Sequence, residues 1–305
     1  MDQVTRAFRD LQLRVALFER RGKAFQDFFS EILELRHPGD FQRVCTWGNI
    51  GDRKCDGFRS SDKTLFAVYA PDPGENVTLA EWIKKIDDDF RGTLPFWNTQ
   101  FDRWTFVHNR EEGLPPDVLA KLNALQAEFP KLVIGRVGPA EIRQTALSLD
   151  ASKLESLLGP AVSSADFACV GFEQIRVVVE TVAKQPVPPP SEIRPVPAEK
   201  IEANALGDGV ATLLKAGMER ADVVSRFFST WHDTNLGDQV AQAFRTKYDE
   251  LRGTGIHPDL IFSELWVFAG GKLKSSPDHE AAVLAVLANL FEACDIFERP
   301  REEHA

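Results

Sequence analysis

A chain of 305 residues, 43% hydrophobic and 27% charged, carries enough apolar material for two packed domains and exceeds one of average size. Its formal net charge of −10 argues against an autonomous nucleic-acid binder, because such proteins take most of their affinity from basic residues that neutralise phosphates. The four cysteines, Cys45, Cys55, Cys169 and Cys294, lack zinc-site spacing, and no apolar run is long enough to span a bilayer, so the expectation is a cytoplasmic chain with reduced thiols.

Residues 5–35 place Leu13, Leu17, Phe25, Phe28, Phe29, Ile32 and Leu35 at helical spacing, with Gly22 dividing two helices and His37-Pro38-Gly39 ending the second. Short buried strands are expected at 41–46 and 65–69, and Asp56 stands at the start of another. A helix over 79–90 gathers Trp82, Ile83, Ile86 and Phe90 on one face. A strand at 104–107, a helix at 117–129, a strand at 132–134 and helices at 141–158 and 172–183 complete an alternating pattern. That alternation implies an α/β domain, a mixed sheet flanked by helices.

The densest prolines, from Gln185 to Pro197, remove backbone donors and favour a stiff extended linker. The expected division is therefore an α/β domain over 1–184, a linker over 185–199 and an all-α domain over 200–298. Helices are expected there at 206–218, 221–230, 236–251, 258–269 and 279–294. The last is apolar around most of its circumference and should lie centrally in a bundle or in an interface.

The stretch from Trp47 to Phe58 places two acids and two cations in a glycine-bracketed turn just ahead of the apolar strand at 65–69. Hard cations such as Mg²⁺ or Mn²⁺ take carboxylate oxygens, so Asp56, Asp52 and Glu31 are the candidate metal ligands. Arg53, Lys54 and Arg43 are the candidate phosphate contacts, with Lys54 the candidate for stabilising developing charge. The plainer alternative is a solvated turn whose Asp and Gly residues only shape the backbone. His108 reads more readily as a structural histidine. Trp82, Trp97 and Trp104 read as core, and Lys84-Lys85 beside Asp87-Asp88-Asp89 as a solvated helix face. No phosphate-binding loop or dinucleotide fingerprint is present.

The segments Ala24–Phe29, Asp40–Val44, Gly51–Phe58 and Val68–Pro71 resemble the N-terminal domain of effectors in bacterial ABC-three-component defence systems, the group related to Lamassu. Lys200–Asn204 and Leu287–Glu298 are similar to the C-terminal domain of the same proteins. The order helix, strand, Asp-bearing strand, apolar strand, helix, strand also resembles the restriction-endonuclease-like (PD-(D/E)XK) core. That resemblance assigns Asp56 to the central Asp and Glu31 or Gln26 to the helix position. The third-strand acid and lysine fall on Ala67 and Tyr69, a departure at both, with Lys54 as the substitute cation.

The resemblance implies an anti-phage effector: a metal-dependent DNA endonuclease held by an SMC-like or ABC-type ATPase and a small middle component, then released and activated by homo-oligomerisation. An acidic chain that binds DNA poorly alone stays silent until clustering raises its effective concentration. The alternatives are a catalytically inactive nucleic-acid-binding or adaptor subunit, and an enzyme that degrades nucleotides.

Overall fold

The computed structural model describes residues 1–45, 52–71, 77–184, 200–293 and 296–297. The chain divides into two compact units, one of residues 16–153 and one of residues 1–15 with 154–305. The first division falls inside α1 (Gln3–Glu19). Each unit has its own core.

The unit of 16–153 runs α2 (Gly22–Arg36), β1 (Phe41–Arg43), β2 (Gly57–Arg59), β3 (Thr64–Tyr69), α3 (Leu79–Trp97), β4 (Arg103–His108), α4 (Pro116–Glu128), β5 (Val133–Val137) and α5 (Pro139–Leu147). The five strands lie in the order β1-β2-β3-β4-β5. The first three form an antiparallel meander, while β3, β4 and β5 are parallel. Helices α3 and α4 make the two crossovers that parallel neighbours require.

Because side chains alternate along a strand, Leu65, Ala67, Trp104 and Phe106 share one face and pack with Trp82, Ile86 and Phe90 of α3 and Val118, Leu122 and Leu125 of α4. The opposite face carries Phe66, which meets Phe29 and Phe41 edge-on at 5.6 and 5.8 Å between ring centres. Helices α2 and α5 pack together beside that face. The start of α3 is set by a capping box: Thr78 N–H donates to Glu81 Oε2 at 2.7 Å, and Glu81 N–H returns to Thr78 Oγ1 at 3.3 Å.

The helix expected over 79–90 runs on to Trp97, and two other local expectations are revised. The strand begun at Phe41 ends at Arg43, and Val44 N–H instead reaches the Asp56 carbonyl at 3.1 Å. The single helix expected over 141–158 is two, α5 and α6 (Ala151–Leu158), because the Asp150 carboxylate accepts the Lys153 N–H at 2.9 Å and begins a new helix.

After α6 come α7 (Ser164–Ala168), α8 (Phe172–Ala183), α9 (Lys200–Ala203), α10 (Asp208–Met218), α11 (Ala221–Thr230), α12 (Leu236–Gly253), α13 (Pro258–Phe268) and α14 (Pro277–Glu292). From Glu280 to Leu287 every residue of α14 is buried, as the apolar circumference predicts. Helix α10 approaches it so closely that a Cβ on Gly217 would sit 2.5 Å from the Leu284 carbonyl oxygen.

Val178, Val179 and Val182 of α8 join this core, so helices before the proline-rich segment pack in the same unit as those after it. The compact units thus do not divide at 184; residues 185–199 themselves lie outside the described residues. The N-terminal residues belong here too: buried Arg9 and Gln12 donate to the carbonyls of Gly159 and Pro160 at 2.5 and 3.0 Å. Among the described residues no helix is long and apolar enough to cross a membrane.

Lys200 is 1% exposed, and its ammonium donates to the carbonyls of Phe291 and Ile296 at 2.8 and 2.5 Å, so it ties α9 to the end of α14. Lys200→Met keeps the stem but leaves buried carbonyls unpartnered. It is expected to lower stability by about 1–3 kcal/mol in urea denaturation. An unchanged midpoint would mean that water replaces the ammonium.

Candidate functional site

Asp56 sits immediately before β2 and opposite the carboxyl end of β3. In open sheets with parallel strands that edge is where ligands collect. Its N–H donates to the Phe66 carbonyl at 2.8 Å, and its carboxylate accepts the Val68 N–H on Oδ2 at 2.6 Å. Oδ1 accepts the Gln26 amide of α2, also at 2.6 Å. Of the two residues proposed for the helix position, Gln26 reaches Asp56. Glu31 is exposed and bears instead on Arg20 and Arg43, whose charges it favours.

Burial pushes the Asp56 carboxyl up to about 6, with the negative charges of Asp52 and Asp89 adding to the effect. The Val68 N–H and the Lys85 ammonium oppose it.

The turn before Asp56 is built by Asp52, whose Oδ1 accepts the Lys54 N–H at 2.9 Å. This bond is the local shaping role that Asp plays in turns. Arg53 and Lys54 both take left-handed backbone, with φ of 57° and 60°. Two successive non-glycine residues in that region cost energy that surrounding contacts must offset. Those contacts are present. The Arg53 guanidinium lies 3.6 Å from the Phe96 ring centre, and Lys54 Nζ stands 3.3 Å from Asp89 Oδ1. The Lys54 stem passes over Gly92, where a Cβ would come within 2.7 Å of it.

Asp89 and Lys85 of α3 are the residues that sequence reasoning left on a solvated helix face. Asp89 is 3% exposed, with Lys85 Nζ at 2.7 Å from its Oδ2. Lys85 Nζ also stands 5.7 Å from the centre of the Tyr69 ring, which packs edge-on against Trp82 at 4.9 Å. One signal was available: Asp89 falls within the apolar stripe of Trp82, Ile86 and Phe90, where a purely structural helix would carry an aliphatic residue.

The remaining expected contact turns elsewhere. Arg43 forms a two-pronged pair with Glu34 at 2.7 and 2.8 Å, with Asp27 at 3.5 Å. Trp47 to Gly51 lie outside the described residues. The centre therefore brings together Gln26, Asp52, Lys54, Asp56, Tyr69, Lys85 and Asp89.

A divalent cation is the group that the fold resemblance implies. Among the described residues, no group of three His, Cys, Asp or Glu side chains is disposed to hold one. Mg²⁺ does not require such a cage, since it is commonly carried by one or two carboxylates together with substrate phosphate and water. Both Asp56 oxygens accept hydrogen bonds and both Asp89 oxygens face lysine ammonium groups, so an ion held here would have to displace these partners and bring its own phosphate ligand.

Asp56 binds a proton more readily folded than unfolded, because its folded value of about 6 exceeds the usual carboxylate value of about 3.9. Its contribution is therefore full below about pH 4 and is lost as pH rises through about 6. Asp56→Asn is expected to flatten this part of the stability profile and to raise stability at pH 8 by roughly 1–3 kcal/mol. Urea titrations at pH 5 and pH 8 read the change; an unaltered pH slope would show that the carboxyl is not perturbed.

Comparison with known proteins adds one relation. Residues 173–298 match the family model of C-terminal domain 10 of the ABC-three component (ABC-3C) systems. The match begins in α8 and runs through α14, and the residues around Asp56 lie outside it. No curated protein and no solved structure matches the chain.

Proposed function

We propose that this chain is the nucleic-acid-directed subunit of an ABC-three component anti-phage assembly. In this reading residues 16–153 are a restriction-endonuclease-like domain that cleaves DNA with Mg²⁺ or Mn²⁺. The family match over 173–298 supports the assembly half of the proposal. An SMC-like or ABC-type ATPase and a small middle component are its partners, DNA is the substrate, and homo-oligomerisation on release is the activating event. The succession α2, β1, β2, β3, α3, β4, with Asp56 at the head of β2, supports the domain half.

One observation carries the nuclease reading. The half-buried Asp56 is bridged to Gln26 of α2 and lies in the field of a Lys-Asp pair one turn apart on α3. Ala67 and Tyr69 of β3 leave the third-strand acid and lysine missing, and Asp89 and Lys85 supply the same two chemical types from the neighbouring helix. A bound divalent ion would polarise the phosphate and acidify a water. Asp56 and Asp89 would be its carboxylate donors, with Asp52 behind them and Gln26 holding Asp56 in place. Lys85 and Lys54 neutralise charge on the phosphate, and Arg53 on Phe96 adds a cation beside it.

A second reading is a non-cleaving adaptor that binds nucleic acid through the same cations. It is favoured by the engaged state of both Asp56 oxygens and of Asp89.

The decisive measurement is plasmid cleavage by the complete assembly with Mg²⁺ or Mn²⁺. Asp56→Ala is expected to lower the rate by about 100-fold or more, with Lys85→Met close behind and DNA binding retained. If the intact assembly binds DNA yet leaves it whole with either metal, the adaptor reading stands.

A further inference from the structure

The face of the sheet turned away from α3 and α4 holds a cavity of about 320 Å³ within the unit of 16–153. Thr64 and Phe66 of β3, Thr105 of β4 and Gly135 of β5 line its sheet side, while Phe29 and Ile32 of α2 face Ile142 and Thr145 of α5. A sheet–helix interface normally fills with interlocking side chains. Here Gly135, paired in register with Thr105, withdraws a side chain from the middle of β5 and leaves space.

The lining is not that of a packing defect. Arg59, Arg103 and Arg136 all contribute to it, together with His37. Arg59 is committed to Asp62 through bonds of 2.9 and 2.6 Å, which hold the Asp62 carboxyl down to about 2. Among the described residues Arg103 and Arg136 form no salt bridge within 4.0 Å, although Arg103 stands near enough to Asp62, which also lines the cavity, to help hold that carboxyl down. The Thr64 hydroxyl is fully buried and makes no hydrogen bond of good geometry, although it lies near enough to Asp62 to help lower that carboxyl. Asp62 is the polar neighbour of this hydroxyl, which has no accessible surface of its own in the cavity.

We infer that this cavity binds a nucleoside-monophosphate-sized anion, its phosphate met by Arg103 and Arg136 and its ring by Phe29 and Phe66. The volume lies at the lower end of small-molecule sites, which combine apolar walls with a few convergent polar groups. Two arginines outside any salt bridge among the described residues favour an anion, and fork-shaped guanidinium groups match phosphate oxygens. The threonine hydroxyls and the Glu141 carboxylate suit sugar hydroxyls and base amines. The Asp56 centre shares none of these residues.

Calorimetry and thermal shift on the full chain test the inference with AMP, GMP, adenosine, inorganic phosphate and a single-stranded oligonucleotide. AMP or GMP is expected to bind and raise the melting temperature. Adenosine and phosphate should each bind at least about tenfold more weakly, because each offers half the recognition. Arg103→Glu, at an exposed position, and Gly135→Val, which fills the space with a strand-compatible side chain, should each weaken mononucleotide binding at least about tenfold. Circular dichroism checks that both variants fold, and Asp56→Asn should bind AMP as the parent does. The inference is overturned if no mononucleotide binds at about 1 mM, or if binding survives Arg103→Glu in a folded protein. Arg103-dependent binding of the oligonucleotide alone would overturn it too, since the arginines would then serve a polymer.

Discussion

The α/β unit is organised around one carboxylate. Asp56 has its backbone N–H on β3, one side-chain oxygen on the β3 backbone and the other on Gln26 of α2. It therefore does locally what a cross-strand pair does, but with a charge-bearing group that burial resists. That resistance appears in its raised pKa, and it demands polar company. Gln26 supplies that company from α2, and the Lys85–Asp89 pair supplies it from α3. The left-handed turn of Arg53 and Lys54 follows from the same demand, since it carries Lys54 to Asp89 and Arg53 onto Phe96.

This arrangement separates the two faces of the sheet by chemistry. Toward α3 and α4 the alternation of β3 and β4 produces an aromatic core, with Trp104, Phe106, Trp82 and Phe90 in contact. Toward α2 and α5 the same strands show Thr64, Phe66 and Thr105, and β5 shows Gly135, so that face is partly hollow and partly cationic. Strand alternation assigns each residue to one face, so a single sheet can hold a closed core and a polar cavity on opposite sides. The helical unit is built on a different constraint. Its central α14 is buried nearly all round, and the polar groups at its end must be satisfied internally, which the buried Lys200 does.

Much of the architecture was legible from pattern. The period of Phe25, Phe28, Phe29 and Ile32 marked α2, the apolar run from Leu65 marked β3, and the apolarity of 283–291, broken only by Asn289, marked a central helix. Of the candidate site residues, Asp56 and Lys54 stand in the polar centre, and Asp52 proves to be the residue that shapes its turn. Glu31 and Arg43 serve other partners, because Glu34 and Asp27 of α2 hold Arg43, and Glu31 acts on Arg43 and on Arg20 just ahead of α2.

From the sequence by itself came the succession of helices and strands, the central place of α14 and the acidic turn beside β3, all properties of near neighbours along the chain. Tertiary structure decided that Gln26, not Glu31, meets Asp56, that Lys85 and Asp89 stand beside it, and that α8 shares a core with α14. These pairings join residues dozens of positions apart. Their distances depend on how helices dock against a twisted sheet or against each other, which no local period encodes.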